Sequence, residues 1–152
     1  MEAEAGALGT VLSLAIGWAQ SVEHWIRREG RRLRLDELHL AASMGVKRPQ
    51  EIRVWVADEV PIAPEDRLRD FADERGMRID TLDGMTFGYG IFLRHGKEAD
   101  EALIKHEFRH VFQTELFGAL DEFVSLYVKQ LEWHGYYNAP LEVDARAAST
   151  RD

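Results

Sequence analysis

The chain contains no cysteine among its 152 residues. This absence excludes thiolate zinc sites, iron–sulfur clusters, cysteine nucleophiles and disulfide frameworks. A metal site in this protein must therefore be built from histidine, aspartate and glutamate. Six histidines and 27 acidic residues are available for that purpose.

Basic residues are the minority of the charged residues. Lys and Arg number 19 against 27 Asp and Glu, which gives a formal net charge of −8. Nucleic-acid binding depends on clustered cations that neutralise phosphates, so no nucleic-acid partner is predicted. The arginines between Arg27 and Arg34 are interpreted as the solvated end of a helix, where positive charge complements the helix dipole.

Long hydrophobic runs are also missing. The most apolar stretch, Ala5 to Ala19, is interrupted by polar residues and glycine and falls short of the roughly 20 residues that cross a membrane. Two glutamates precede it where a secretory signal needs basic residues. Its apolar residues recur every three or four positions, which predicts a helix facing a core. No membrane partner and a cytoplasmic location are predicted.

The length of the chain favours a single domain over residues 1–152, because domains typically contain about 100–200 residues. The hydropathy pattern predicts an α+β fold: N-terminal helices, a small sheet and C-terminal helices. The first predicted helix ends at Gly30, the second has Asp36 as its N-cap, and the third runs from Pro64 to Gly76. Three further helices are predicted over 100–116, 120–133 and 140–148. The predicted strands span 52–56 and 86–94.

The helix predicted over 100–116 contains the motif H-E-x-x-H, formed by His106, Glu107 and His110. At about 100° per residue the two histidines lie roughly 40° apart on one helix face, so both imidazoles can reach one metal ion. Glu107 lies beside that face, where a carboxylate can act as general base on metal-bound water. The motif predicts a zinc site.

A hydrolytic zinc site needs a third protein ligand and an open position for water. The extended motif with a third histidine fails here, because Gln113 and Leu116 occupy its glycine and histidine positions. A carboxylate from the last helix is the remaining source. Glu142 is the first candidate for the third ligand and Asp144 the second, and about 200° of helix rotation separates them, so both cannot face the metal.

Hydrolysis also needs a group that stabilises the developing oxyanion. Tyr137 is the candidate, with Tyr136 as its alternative, because both precede the helix that carries Glu142. Gln113 lies near the His106 face of its helix, where it can line the cleft or orient an imidazole. Arg109 is expected to point to solvent or to pair with an acidic group.

Three segments resemble small bacterial zincin-like domains of the Glu-zincin metallopeptidase type. These segments are 84–93, 103–113 and 138–145, and the resemblance covers about Gly84 to Ala148. The resemblance implies a zincin-like fold with His106, His110 and Glu142 as zinc ligands and Glu107 as catalytic base. It further implies that the strand near residues 86–94 is the edge strand along which a peptide lies, with Gly88 and Gly90 leaving room for it. An ordinary bend or bulge in the strand is the alternative for these glycines.

The function predicted from these features is a zinc-dependent metallopeptidase that hydrolyses a peptide or protein substrate, with Zn²⁺ as cofactor. The alternative is a catalytically silent zincin-fold module that binds zinc or a protein partner without turnover. Metal content and peptide cleavage are the two measurements that separate these possibilities.

Overall fold

The computed structural model describes residues 2–151, with side chains described from Gly6 onward. Within that range the chain forms six α-helices, four short strands and two 3-10 turns, an α+β arrangement. The helices are α1 (Glu2–Glu29), α2 (Leu35–Ser43), α3 (Asp66–Glu74), α4 (Glu101–Phe117), α5 (Leu120–Asn138) and α6 (Pro140–Ser149). The strands are β1 (Arg31–Arg32), β2 (Arg53–Ala57), β3 (Gly84–Phe87) and β4 (Gly90–Arg94), and the 3-10 turns are Pro49–Glu51 and Ile79–Thr81.

The sheet is mixed and has the strand order β1-β2-β4-β3. β2 and β4 are parallel, whereas β1 pairs with β2 and β3 pairs with β4 in antiparallel fashion. β4 is therefore an interior strand, and β3 lies at the edge.

Helices cover both faces of this sheet. Ile91 and Leu93 pack with Ile104 and Phe108 of α4, and this cluster also includes Ala41 of α2. On the opposite face Phe87 and Phe92 pack with the buried stripe of α1. The stripe has the three- and four-residue spacing that the sequence predicted and consists of Val11, Ala15, Ala19, Val22 and Ile26. Ala19, Val22 and Ile26 pack on the sheet, whereas Val11 and Ala15 pack with residues of α3 and α5.

The segment predicted as one strand over 86–94 is a hairpin. Phe87 and Gly90 close a two-residue loop, in which Gly88 has a φ of 63°. Glycine adopts this conformation without strain, and the first position of a type II′ turn favours it. Phe87 faces α1 whereas Ile91 faces α4, although one uninterrupted strand would place these two residues on the same face. The single-strand prediction was wrong because its alternating pattern continues through the turn.

Gly90 gives space to α1 and not to a substrate. A Cβ atom at this position would lie 3.1 Å from the Cβ atom of Ile26. The missing side chain lets α1 approach β4 closely, which is the ordinary use of glycine inside a strand.

Several predicted boundaries differ from the structure. α2 is preceded by Arg34 as its N-cap, so Asp36 lies in the first turn and not at the cap. α3 begins at Asp66, two residues after Pro64. The helix predicted to end near residue 133 continues to Asn138, although Gly135, with a φ of 76°, breaks its helical geometry. No helix among residues 2–151 is long and apolar enough to span a membrane.

A buried ion pair joins α2 to the chain that follows α1. Glu37 is 4% exposed, and its two carboxylate oxygens accept hydrogen bonds from Arg31 at 2.8 and 3.0 Å. The same carboxylate accepts from the backbone N–H of Arg34 at 2.8 Å. Burial raises the pKa of the Glu37 carboxyl, but these hydrogen bonds outweigh burial and hold the pKa below its ordinary value.

Glu37→Gln should lower the free energy of unfolding by about 2 kcal/mol at neutral pH, because Arg31 loses its buried partner. A carboxyl whose pKa is lowered on folding stabilises the fold above its unfolded pKa of about 4.3, and this stabilisation is lost as the pH falls through the folded value. The difference from wild type should therefore shrink in acid. Urea unfolding at neutral pH and near pH 3 measures it, with the exposed Glu74→Gln as control. Equal stability of both variants at neutral pH would contradict the prediction.

Candidate metal centre

α4 presents the two motif histidines on one face. The helix begins where the Asp100 side chain accepts a hydrogen bond from the Leu103 N–H at 3.1 Å, and it ends at Gly118, whose φ is 89°. Such a side-chain cap and a left-handed glycine are common helix boundaries. Between them His106 and His110 lie one turn apart, and their Nε2 atoms are separated by 3.2 Å.

α5 and α6 bring a glutamate back to these histidines. Gly135 and Pro140 interrupt the helical path, and the side-chain oxygen of Gln130 accepts from the Leu141 N–H at 2.9 Å at the start of α6. Glu142, in the first turn of α6, is 3% exposed. Its Oε1 lies 2.9 Å from the Nε2 atom of His106, and its Oε2 lies 3.1 Å from that of His110.

The three side chains together could hold a metal ion. His106, His110 and Glu142 each offer a ligand atom, and these atoms all lie within 4.8 Å of one another. Ligand atoms about 2.0–2.1 Å from a tetrahedral zinc ion are roughly 3.3 Å apart, close to the separations of 2.9–3.2 Å observed here. Two imidazoles and one carboxylate are also the ligand set of many hydrolytic zinc sites.

The charges within this group stabilise one another strongly. Burial raises the pKa of Glu142, but the two imidazoles outweigh burial and hold it well below the usual range. Burial lowers the pKa of His110, and the nearby carboxylates reverse that effect and raise it to about 9. A metal ion bound at Nε2 of His110 would therefore compete with a proton for that nitrogen.

Gln113 fixes the orientation of His110. Its amide nitrogen donates to the Leu141 carbonyl and to Asp144 Oδ2, both at 2.9 Å. Its amide oxygen therefore faces the imidazole and accepts from Nδ1 of His110 at 2.8 Å. With the proton on Nδ1, the Nε2 lone pair of neutral His110 is directed at Glu142 and His106. Of the two sequence-based alternatives for Gln113, the structure supports the orienting role.

Asp144 lies outside the three-residue group, because it pairs with Arg109. The guanidinium donates to its two carboxylate oxygens at 2.8 and 3.3 Å and also donates to the Met44 carbonyl at 2.9 Å. This pairing agrees with the expectation that Arg109 meets an acidic group. It leaves Glu142 as the carboxylate that faces both histidines.

Glu107 lies beside the histidines, against the edge strand β3. It is 4% exposed, and its Oε1 accepts a hydrogen bond from the Thr86 hydroxyl at 2.7 Å. Burial raises the pKa of its carboxyl above the ordinary value, although both histidines lower it. A Cβ atom at Gly84 would lie 3.3 Å from Glu107 Oε2, so the absent side chain leaves room for this carboxylate.

The structure brings a different tyrosine to the centre from the one predicted. Tyr137 is 71% exposed, and its ring packs against the guanidinium of Arg146, so it lies away from the histidines. Tyr127 of α5 instead donates its hydroxyl to Glu142 Oε2 at 2.6 Å. Burial and the Glu142 charge raise the pKa of Tyr127 well above its usual value, which keeps it a hydrogen-bond donor. Tyr136 lines the same cavity as the histidines.

Sequence reasoning missed Tyr127 and Thr86. The apolar spacing of α5 includes Tyr127 and does not distinguish a core aromatic from one that reaches a carboxylate. Thr86 comes near Glu107 through the pairing of β3 with the sheet, which no local pattern shows. The one available signal is the position of Thr86 in the segment 84–93 that carries the resemblance.

Gln113→Leu should lower the affinity of the centre for Zn²⁺ by about 10- to 100-fold, because His110 loses the acceptor that holds its tautomer and ring orientation. Competition with a chelating dye measures the dissociation constant. Thr114→Val is the matched control, because Thr114 is a buried neighbour whose hydroxyl bonds only to the His110 carbonyl, at 3.0 Å. Equal zinc affinity in the two variants would contradict the orienting role of Gln113.

Comparison of the chain with protein families, curated proteins and solved structures finds no match. Three side chains of the centre form a compact donor set, and a second carboxylate, that of Glu107, lies beside it. Two hydroxyls and one amide hold these groups in place.

Proposed function

We propose that the protein is a zinc-dependent hydrolase that cleaves peptide bonds, with a zincin-like arrangement of its centre. The observation that carries the proposal is the convergence of His106, His110 and Glu142 beside the buried carboxylate of Glu107. A metallopeptidase centre usually combines three protein ligands, a coordination position left open for water, and a general base beside them.

The three ligands would be His106 Nε2, His110 Nε2 and the Glu142 carboxylate. Zinc held by them would polarise the scissile carbonyl and lower the pKa of water. Tyr127 holds Glu142 in place through its hydroxyl, and Gln113 holds His110. Two of the three ligands are therefore held in orientation by neighbouring side chains, which favours a defined coordination geometry.

Glu107 would take the proton from the attacking water and transfer it to the leaving amine. Its raised pKa suits this role, because a base whose pKa approaches the working pH both accepts and returns a proton efficiently. Thr86 holds one carboxylate oxygen at 2.7 Å and leaves the other, near Gly84, available for the water.

The edge strand β3 supports a peptide as the substrate. Arg94 N–H donates to the Asp83 carbonyl at 2.8 Å, so Asp83, and by antiparallel alternation Met85 and Phe87, direct their backbone groups toward β4. The backbone groups of Gly84 and Thr86 then point to the open edge, beside Glu107. An extended peptide can pair with such an edge through its main chain. The open edge of the sheet belongs to β3, because β4 is an interior strand.

Zinc analysis of purified protein tests the ligand set. Wild type and Glu107→Gln should each contain about one zinc per chain, because both retain the three ligands. Glu142→Ala should lose most of its zinc. Asp144→Asn should keep it, which distinguishes Glu142 from the second candidate. Full zinc content in Glu142→Ala would exclude Glu142 as a ligand, and a zinc-free wild type would exclude the site.

Cleavage of an unstructured protein tests the activity. Zinc-loaded wild type should produce fragments, and Glu107→Gln should be slower by about 10²–10⁴-fold, since it keeps the metal but lacks the base. Removal of zinc with a chelator should abolish cleavage, and added zinc should restore it. Equal rates for wild type and Glu107→Gln would assign the cleavage to a contaminant. Zinc binding without cleavage would favour the silent binding module.

A further inference from the structure

A cavity adjoins the metal centre and extends into the helical part of the molecule. Its empty volume is about 770 Å³, part of which is open to solvent. Its lining residues come from α1, α3, α5 and β3 and from the segment between α3 and β3. The metal-centre residues of α4 and α6 also line it.

The walls of this cavity are apolar. Leu82, Met85 and Val124 line it, and all three are only half-buried although they pack against core clusters. Trp18 of α1 is held in position, because its indole N–H donates to the Ile62 carbonyl at 2.8 Å and its ring meets Phe87 edge-to-face at 5.0 Å. These side chains leave a space between them that they do not fill.

The polar groups of the cavity concentrate at one end. His106, Glu107, His110 and Glu142 form that end, with the Tyr127 hydroxyl beside them. A ligand that fits this distribution has an apolar body and one polar group at the metal centre. A polar side chain among the apolar walls would lose its hydration without gaining partners, whereas an apolar one gains from leaving water.

We infer that the cavity is a specificity pocket that takes a large apolar side chain, such as Phe, Leu or Met, next to the scissile bond of a peptide. This inference rests on the proposed peptidase function. The polar group at the metal centre is then the scissile peptide carbonyl of the substrate. The substrate side chain next to that carbonyl enters the space between α1, α5 and β3. Substrates with a small or charged residue at that position are discriminated against.

Val124→Phe tests the pocket by filling it. Val124 of α5 lines the cavity and is not one of the three proposed metal ligands. Leu116→Phe is the matched control, because Leu116 is 66% exposed on α4 and does not line the cavity. Val124→Ala enlarges the same space and provides a second variant should the larger side chain prevent folding.

Cleavage of a mixed peptide library, with the cut sites identified by mass spectrometry, gives the first readout. Wild type and Leu116→Phe should prefer large apolar residues over Ala at one position beside the cut by at least about tenfold. Val124→Phe should shift this preference toward Ala at unchanged zinc content, and Val124→Ala should admit Trp. Cleavage without a side-chain preference, or a Phe preference that survives in Val124→Phe, would overturn the inference.

Binding of the neutral fluorescent dye N-phenylnaphthylamine gives a readout that does not depend on catalysis. Wild type and Leu116→Phe should bind about one dye per chain, and Val124→Phe should lose this binding. If wild type does not bind the dye, the inference of an apolar pocket is overturned, whether or not the protein cleaves peptides. Dye binding without any peptide cleavage would instead overturn the proposed function, and with it the peptide side chain as occupant.

Discussion

The contact of the Glu142 carboxylate with two imidazoles is the constraint on which the functional part of the structure depends. A carboxylate that is 3% exposed is costly to bury unless its oxygens are paired. Here His106, His110 and the Tyr127 hydroxyl satisfy them at 2.6–3.1 Å. These partners come from α4 and α5, so one carboxylate fixes the relative positions of the last three helices.

A second layer of hydrogen bonds transmits this constraint outward. His110 is held by Gln113, Gln113 by Asp144 and Asp144 by Arg109, whose guanidinium also reaches the Met44 carbonyl at the end of α2. Each buried donor in this series of hydrogen bonds has an acceptor, so the network favours one arrangement of its side chains. The charged residue inside the H-E-x-x-H motif is thereby explained: Arg109 neutralises Asp144 and keeps it away from the histidines.

The sheet and the helices contribute different parts of the same cavity. β3 supplies a strand edge, Thr86 and the small Gly84 beside Glu107, while α1 and α5 supply apolar lining. β3 lies at the edge because the other side of β4 pairs with β2, and Gly90 lets α1 approach β4 closely. Burial of Glu107 among these elements raises its pKa and so links the fold to the proposed chemistry.

Local sequence patterns were sufficient for the features that depend on neighbours along the chain. The three- and four-residue spacing identified the helices, and the H-E-x-x-H spacing identified the shared face of His106 and His110, because helix geometry is set within one turn. The turn at Gly88 was missed, since alternation of apolar residues continues across a two-residue loop. Tertiary structure alone decided between Glu142 and Asp144 at the histidines, and it decided which tyrosine joins them and which strand forms the edge. Those choices depend on how distant elements pack, and residue spacing carries no information about the direction from which a later helix returns.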